Sequence, residues 1–418
     1  MQRYSILNLA RHAFQGHRGW RRNFGGRPLR KSYDVVIVGG GGHGLATAYY
    51  LAKEHGITNV AIVEKGWLGG GNTARNTTMI RSDYLTPANA DFKEFSLKLW
   101  EGLSAELNFN VMFSQRGYID LAHSDGQMEH FTRRANTMRH RGIDADILSV
   151  GQLAARLPEL NLSTSSRYPV HGALYQARGG TARHDAVAWG YARAAHDLGV
   201  DIFEHCDVQD FQIHKGRIAG VNTSQGPVTA NIVLVSVAGH SSLLAAKAGF
   251  TLPLESFPVQ AFVSEPLKPV INTVVNFNME LAYINQTDKG ELVMGGGLEP
   301  RNGYLSRGGF ERIEDVVARI IAMFPFLSRV RLMRTWAGIA DIPMDGSPLL
   351  GQTPIDGLLF NCGWGYAGFK ATPAAGWTMA ATIADGRPHP LAAPFALSRF
   401  RDGETHDEGG VGPTPSLH

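Results

Sequence analysis

A glycine-rich turn between two apolar segments contains the first residues whose spacing predicts chemistry. Gly39, Gly41 and Gly44 match the pattern G-x-G-x-x-G, and Glu64 follows 20 positions after the last of them. Glycines in this pattern permit a tight turn, let the backbone approach a pyrophosphate, and let a helix pack closely on the preceding strand. The phosphates then lie on the N–H groups at the helix N-terminus. The pattern therefore predicts a dinucleotide site.

The flanking segments and the acidic residue narrow the choice of dinucleotide. Residues 35–38 and 60–63 are apolar runs typical of buried parallel strands, and residues 45–53 form a helical segment between them. A carboxylate at Glu64 accepts hydrogen bonds from ribose hydroxyls and disfavours a 2′-phosphate, which argues against NADP. The alternative is a turn that binds no nucleotide, but such a turn has no structural need for four consecutive glycines.

Composition limits the class of protein. The chain has 418 residues, of which 44% are hydrophobic and 18% are charged, and it can bury a large core in two domains. No segment approaches the length of a membrane span, so we expect no membrane association. Cys206 and Cys362 are the only cysteines and have no metal-ligand spacing. We therefore expect no disulfide framework, no metal site and a cytoplasmic location.

The first 31 residues form a basic segment. They contain eight Lys or Arg residues and no acid, so the remainder of the chain carries 3 − 8 = −5 charges. Such a segment is typical of an organellar presequence, a nucleic-acid tail or an extension that wraps a partner subunit. Because Tyr4, Ile6, Trp20 and Phe24 supply apolar anchors, we predict a partner-binding arm at 1–32, with a presequence as the next alternative and no nucleic-acid binding.

The remaining pattern predicts an α/β fold that can position these residues. Alternating segments between 250 and 330 predict an antiparallel sheet, and 231–238 predicts a buried strand. Asp185 is a plausible N-cap for one of the helices. Helices are predicted at 91–106, 126–142, 185–198 and 312–324 and from 372 onward.

Several motifs resemble those of a known family. They are VVIVGGGGHGLATAYYLAKEHGITNV, EKGWLGGGNTARNTT, MFSQRG, RHDAVAWG, NCGWG and GFKATP. They closely resemble the beta subunits of heterotetrameric sarcosine oxidases, within the wider group of D-amino-acid-oxidase-like flavin amine oxidases. The resemblance runs from about Tyr33 to the segment at 395–401, which is nearly the whole chain. It implies a glutathione-reductase-type, Rossmann-like FAD domain and a smaller substrate domain built on an antiparallel sheet.

The resemblance also implies how the chain is divided. Besides the arm, the expected parts are a discontinuous FAD domain, a substrate domain on the FMN side, and a flexible or partner-bound tail. The FAD domain takes residues 33–100, 150–240 and 330–400, the substrate domain takes 100–150 and 240–330, and the tail takes 401–418.

The family binds FAD without a covalent bond. Single-cofactor relatives attach FAD through a cysteine, but the corresponding segment around Gly338 has none. The pyrophosphate and ribose positions carry over to Gly39, Gly41, Gly42, His43, Gly44 and Glu64. Asn72, Thr73 and Thr77 carry over to the loop beside the flavin, Val208 to the adenine end, and Gly363, Gly365, Gly368 and Lys370 to the isoalloxazine side.

A second flavin, FMN, is implied at the junction with the alpha subunit. In the family it is bound covalently to a histidine, and His184 matches that position. A neutral imidazole nitrogen must attack the 8α position of the flavin, and the neighbouring Arg183 and Asp185 would tune that site. Without the resemblance, His184 is a histidine at a helix N-terminus and nothing more.

Two basic residues match the family's ligands for the substrate carboxylate. Arg81 can bind a carboxylate through two parallel hydrogen bonds, and Lys370 adds a point charge. Arg81 could instead be a surface residue, whereas Lys370 stands in a glycine-rich apolar run that is unlike ordinary surface. The implied reaction takes a hydride equivalent from a secondary amine to FAD and yields an imine. Electrons then pass to FMN and oxygen, and the imine passes to the alpha subunit.

The sequence departs from the family beside Lys370. Tyr366 and Ala367 stand where a Thr-Gly or similar pair is expected, and the run WAGIADIPMDGSPLLG differs in its small residues. These departures concern the shape of the pocket. They keep open an alternative, a subunit of an N-methylglutamate dehydrogenase, whose substrate is a larger N-methyl amino acid and whose acceptor need not be oxygen. The family further implies alpha, gamma and delta partner subunits.

Overall fold

A computed structural model describes residues 5–18, 24–277 and 282–407 of the chain. The predicted anchors Tyr4 and Trp20, and the part of the predicted tail after residue 407, lie outside the described residues. The strands are, in chain order, β1 Ser32–Val38, β2 Val60–Val63, β3 Met79–Ile80, β4 Tyr118–Ala122, β5 Asp146–Leu148, β6 Gly172–Gln176, β7 Gly180–Thr181, β8 Asp201–Phe203, β9 Val208–His214, β10 Arg217–Thr223, β11 Gly226–Val235, β12 Leu254–Pro266, β13 Val274–Asn276, β14 Tyr283–Gln286, β15 Glu291–Leu298, β16 Leu332–Pro343, β17 Leu349–Gln352 and β18 Leu358–Cys362.

The helices confirm the predicted segments with shifted ends. They are α1 Ile6–Phe14, α2 Gly42–His55, α3 Asn72–Arg75, α4 Pro87–Glu106, α5 Asp125–His140, α6 Val150–Arg156, α7 His184–Asp197, α8 Ser241–Lys247, α9 Phe310–Met323, α10 Thr372–Asp385 and α11 Arg399–Asp402. One prediction about an end is wrong. Arg183, not Asp185, is the N-cap of α7, and the Asp185 carboxylate instead pairs with the Arg183 guanidinium at 2.7 Å.

The first sheet carries the dinucleotide turn. Its order is β17-β18-β11-β1-β2-β8, and β9 and β10 extend it from β11. Strand β1 pairs in parallel with β2 and β11, as expected for a Rossmann-like sheet. The apolar runs of these strands are buried on both faces, because α2 and α7 cover one face and the strands β9 and β10 with α8 cover part of the other.

The second sheet confirms the antiparallel region predicted between 250 and 330. Its order is β16-β12-β15-β14-β13-β4-β6-β5, and its pairs are antiparallel except for β13 with β4. The fold class, an α/β FAD-type domain with a smaller antiparallel sheet, is therefore as predicted. The domain limits stay a prediction. The strands β6 and β16, which the sequence placed with the FAD domain, pair within this second sheet.

The two ends of the chain differ in how they contact the body. Helix α1 has no buried residue, although Arg27 and Arg30 farther along the arm both pair with Asp201, at 3.0 and 2.9 Å. None of the helices within the described residues is long and apolar enough to cross a bilayer.

A buried ion pair holds the C-terminal segment to the body. Both nitrogens of the Arg399 fork contact the Asp345 carboxylate at 2.8 Å, and the two side chains are only 2% and 3% exposed. The same guanidinium donates to the Ser347 carbonyl at 2.8 Å, and the His406 N–H donates to Asp345 at 3.1 Å. The described part of the predicted tail is thus folded onto the body.

The Arg399→Met substitution should lower the free energy of unfolding by about 3–5 kcal/mol, because Asp345 would remain buried without its partner. Urea denaturation followed by circular dichroism measures this change. The matched control is Arg401→Met, since Arg401 lies exposed in an ion pair with Asp402. Equal effects of the two substitutions would show that the buried pair does not stabilise the fold.

Candidate active site

A large cavity of about 780 Å³ lies between the two sheets. It extends from the glycine-rich turn to the end of the second sheet, and most of the predicted site residues line it. Those residues are Gly39, Gly41, Gly42, His43, Glu64, Asn72, Thr73, Thr77, Arg81, Val208, Gly365, Gly368 and Lys370. Gly44, Gly363 and His184 do not line it.

Two glycines of the turn are required by close packing. A Cβ atom on Gly44 would lie 2.2 Å from the Gly39 carbonyl oxygen, and Gly39 itself has φ +111°. A Cβ atom on Gly39 would lie 2.3 Å from the Ser236 carbonyl oxygen at the end of β11. Helix α2 can therefore begin directly against β1 and β11, so that its N-terminus faces the cavity.

Glu64 and Thr73 hold the turn through backbone N–H groups. The two carboxylate oxygens of Glu64 accept hydrogen bonds from the N–H groups of Gly40 and Gly66, each at 2.8 Å. The Thr73 hydroxyl accepts from the Gly42 N–H at 2.9 Å. A carboxylate can accept about four hydrogen bonds, so Glu64 still has acceptor capacity toward a ribose.

Asn72 fixes the loop after β2 to the edge of the second sheet. Its amide donates to the Ile339 carbonyl at 2.6 Å and accepts from the Ile339 N–H at 3.0 Å. The Trp336 indole N–H donates to the Arg75 carbonyl at 2.8 Å beside it. The amide of Asn72 is thus engaged by β16, and its contribution is to position the loop that carries Thr73 and Thr77.

The side chains of Asn361, His43 and Trp364 form a buried polar cluster at the cavity. The Asn361 Oδ1 atom accepts from the Trp364 indole N–H at 2.7 Å and lies 3.1 Å from His43 Nδ1. His43 Nε2 lies 2.8 Å from the Gly368 carbonyl oxygen, and burial lowers the pKa of the imidazole. The Asn361 Nδ2 donor is buried with no partner among the described residues. A cofactor acceptor would satisfy it, so the cavity fits a flavin dinucleotide.

The far end of the cavity is a buried charge network. Arg81 is paired with Asp83, and its side chain is 10% exposed. Arg134 contacts Asp83 at 3.4 Å and Asp120 at 3.2 Å. Burial raises the pKa of Asp120 to about 6, although Arg134 opposes this shift. Arg81 is therefore not a surface residue, and it keeps further N–H donors for a ligand.

Lys370 lies at the same end on the segment that follows β18. Its ammonium group contacts the Tyr366 carbonyl oxygen at 3.3 Å. Its own backbone carbonyl accepts two buried hydrogen bonds from α4, from the Ser96 hydroxyl at 2.7 Å and the Trp100 indole at 2.9 Å. Burial, followed by the positive charges of Arg81 and Lys93, holds the pKa of the Lys370 side chain well below its usual value.

His184 does not line the cavity, but it follows two residues after Ala182, which is hydrogen-bonded to the cavity wall. The ribbon formed by β3 and β7 joins the two places, since Ala182 donates its N–H to the Thr78 carbonyl at 3.1 Å, and Thr78 lines the cavity. The His184 side chain is partly buried, and its Nδ1 atom has no partner among the described residues. Burial lowers the pKa of this imidazole, which keeps it neutral.

Several residues of the site were not predicted from the sequence. Asp83, Arg134 and Asn361 acquire their roles only through tertiary contacts. Asp120 offered a signal, since it is a lone acid in the apolar run Tyr118–Ala122, and such an acid is buried when the run forms a strand.

Comparison with known proteins places this geometry in a family. Residues 34–382 match the family model described as FAD dependent oxidoreductase. The chain is 51% identical over 416 residues to the sarcosine oxidase subunit beta of Rhizobium meliloti, with 100% of each chain covered. It is 52% identical over 382 residues to the sarcosine oxidase subunit beta of Arthrobacter sp., covering 91% of this chain and 94% of that one.

Solved structures show the same fold. The L-proline dehydrogenase of P. horikoshii superposes with a TM-score of 0.85 at 27% identity, covering 90% of this chain and 100% of that chain. The glycine oxidase of Geobacillus kaustophilus superposes with a TM-score of 0.78 at 24% identity, covering 88% and 99% of the two chains.

The Gly44→Ala substitution should remove most of the bound FAD, because the new methyl group would displace either α2 or the Gly39 carbonyl from the turn. The FAD content per chain, measured from the absorbance of flavin released on heating, tests this. Gly102→Ala on α4 is the matched control, since its Cβ atom would have no neighbour within 4 Å. Full FAD content in Gly44→Ala would contradict the packing argument.

Proposed function

The chain belongs to the family of FAD-dependent oxidoreductases and, within it, to the group of sarcosine oxidase beta subunits, and we propose that it binds sarcosine and oxidises its N-methyl group. The product would be an imine, which yields glycine and a one-carbon unit. The observation that carries the proposal is that one cavity has a dinucleotide turn at one end and two basic side chains, Arg81 and Lys370, at the other.

The cationic end recognises the carboxylate of the amino acid. Arg81 offers the guanidinium donors that Asp83 leaves available, and Lys370 offers its Nζ group from the segment between β18 and α10. Hydrogen bonds to charged groups in a buried site are stronger than those at a surface. A carboxylate held at this end places the adjacent amine and its methyl group toward the middle of the cavity, where Asn361 and Gly365 lie.

The bound cofactor supplies the acceptor for a hydride equivalent from the methyl carbon. The residues that would hold it are those of the glycine turn, with Glu64 and Val208 toward the nucleotide and Gly365 and Gly368 toward the ring. The contribution of the chain is to orient the substrate against this ring and to exclude water. The curated relatives favour sarcosine over N-methylglutamate, so the dehydrogenase alternative has no support of its own.

We further propose that FMN is bound covalently at His184. Supporting observations are the neutral, partly buried imidazole, its Nδ1 atom without a partner among the described residues, and the ribbon that links it to the cavity wall. The relatives are named as subunits, and this chain is likewise one subunit of a larger enzyme. Alpha, gamma and delta partners, with FMN at the alpha junction and oxygen as the final acceptor, complete the proposal.

In a substrate screen, sarcosine should bleach the flavin of the co-expressed complex under anaerobic conditions faster than glycine, L-proline or N-methylglutamate. The reason is that the cavity has one cationic end for one carboxylate, and the reacting carbon is a methyl group. Stopped-flow absorbance at the flavin band measures the rates. Rapid bleaching by another of these amines, with none by sarcosine, would overturn the proposed substrate.

A lysine variant connects the screen to the site. In Lys370→Met the sarcosine concentration that gives half-maximal bleaching should rise about 10- to 100-fold, the usual effect of losing one hydrogen bond to a charged group. Lys98→Met, on the exposed side of α4, is the matched control and should leave this concentration unchanged.

His184→Ala should remove covalently bound flavin and leave FAD in place, because His184 does not line the main cavity. After precipitation with acid, the variant's pellet should be colourless while its supernatant still contains FAD. His171→Ala serves as the control, since His171 is half-exposed and pairs with Asp125. A yellow pellet from His184→Ala would show that FMN is attached elsewhere.

A further inference from the structure

Lys370 differs from the neighbouring Arg81 and Arg134 in its partners. Arg81 and Arg134 each contact a carboxylate, whereas no carboxylate of the described residues lies within ion-pair distance of the Lys370 ammonium. Its one hydrogen-bond acceptor is the carbonyl of Tyr366, and the side chain is buried. A lysine in such a place favours its uncharged amine, because nothing compensates the lost hydration of an ammonium.

The elements around Lys370 reinforce this effect. Helix α4 contributes Lys93, whose ammonium group lies 3.2 Å from the Ala367 carbonyl, and the next residue, Glu94, is already paired with Arg178 at 2.6 Å. The segment after β3 contributes Arg81 together with its partner Asp83. Helix α10 has no ionisable side chain before its last residue, Asp385.

The substrate, in contrast to Lys370, binds with a protonated amine and must lose that proton before it is oxidised. At neutral pH sarcosine carries a carboxylate and a secondary ammonium group, but only the neutral amine has the lone pair that the oxidation requires. An uncharged Lys370 has a lone pair on Nζ, and the carboxylate that it helps to bind brings the ammonium group into the same buried space.

We propose that Lys370 accepts the proton of the substrate ammonium group when the amino acid binds. The N–H bond of the substrate breaks, the proton forms a bond to Lys370 Nζ, and both products stay in the cavity. They are a neutral secondary amine, ready for oxidation, and a lysine ammonium that pairs with the substrate carboxylate. The inference rests on the proposed function and adds a role in proton transfer to a residue assigned there to binding.

Other ionisable groups of the cavity serve this role less well. Asp120 already accepts hydrogen bonds from Arg134 at 3.2 Å and Asn276 at 2.7 Å. Asp341 also lines the cavity, but its carboxylate already accepts from the Gly363 N–H at 2.5 Å. Both nitrogens of His43 are engaged, by Gly368 and Asn361. Lys370 is the candidate with a lone pair and a single weak contact.

The first test counts protons in the complete FAD-containing complex. Methoxyacetate has the carboxylate of sarcosine but no amine, so its binding should draw about one proton per site from a weakly buffered solution, as Lys370 becomes charged beside it. N,N-dimethylglycine brings its own proton and should draw none. A pH-indicator dye measures the uptake. Absence of uptake with methoxyacetate in the wild-type complex would overturn the proposal without any variant.

The second test uses Lys370→Arg, which retains a cation that cannot accept a proton. Methoxyacetate should then bind without proton uptake. Anaerobic flavin reduction by sarcosine should lose about tenfold in second-order rate for each pH unit below the pKa of the substrate ammonium, while the wild-type rate should stay level over the same range near neutral pH. Lys98→Arg is the matched control and should behave as the wild type.

The outcomes separate the two proposals. If sarcosine fails to reduce the flavin of the wild-type complex, the proposed function is wrong. If sarcosine reduces the flavin but methoxyacetate draws no proton, or draws one also in Lys370→Arg, the substrate stands and the proton acceptor is another group. If the pH profile of Lys370→Arg matches that of the wild type, Lys370 acts in binding alone.

Discussion

The backbone carbonyl of Lys370 is buried, and its hydrogen bonds fix the segment that carries the Lys370 side chain into the active site. It accepts hydrogen bonds from Ser96 and Trp100 on successive turns of α4, at 2.7 and 2.9 Å. Two donors from one helix fix both the place and the rotation of the segment, and losing them would leave a buried acceptor unsatisfied at a cost of about 1–3 kcal/mol. The side chain of Lys370 and the backbone of Gly368 are therefore aligned by a helix of 20 residues rather than by a loop.

The charges around that segment explain why carboxylate binding and proton movement are coupled. Arg81 and Arg134 are balanced by Asp83 and Asp120, so these four buried side chains carry no net charge when all are ionised. A further carboxylate entering this network needs a further cation to balance it. A lysine can supply that cation, because its amine can take up a proton when the carboxylate binds. Permanent charge at Lys370 would cost desolvation in the unliganded cavity, whereas charge acquired with the substrate is paired as it forms.

The sequence revealed the residues whose role is local and missed those whose role is tertiary. The turn at Gly39–Gly44 could be predicted because glycine spacing and the apolar strands around it are adjacent in the chain. The antiparallel sheet was predicted where alternation was strong, between 250 and 330, but no strand was predicted at β4 or β6. Strand β4 pairs with β13, more than 100 residues away, and with β6. Asp83 and Arg134 gave no signal, since an ordinary polar residue becomes part of a site only through its partners, and Asn361 stood within the motif NCGWG without a role of its own.

The ribbon of β3 and β7 links the cavity wall to the segment that contains His184. Thr78 ends the cavity-lining loop with φ 65°, an uncommon conformation for a β-branched residue. It is held there on both sides, because its N–H donates to Asn76 Oδ1 at 2.6 Å and its carbonyl accepts from Ala182 at 3.1 Å. Strain is kept where the surrounding contacts determine it. Here those contacts hold the cavity wall against the segment of His184, because Ala182, which donates to the Thr78 carbonyl, stands only two residues before that histidine.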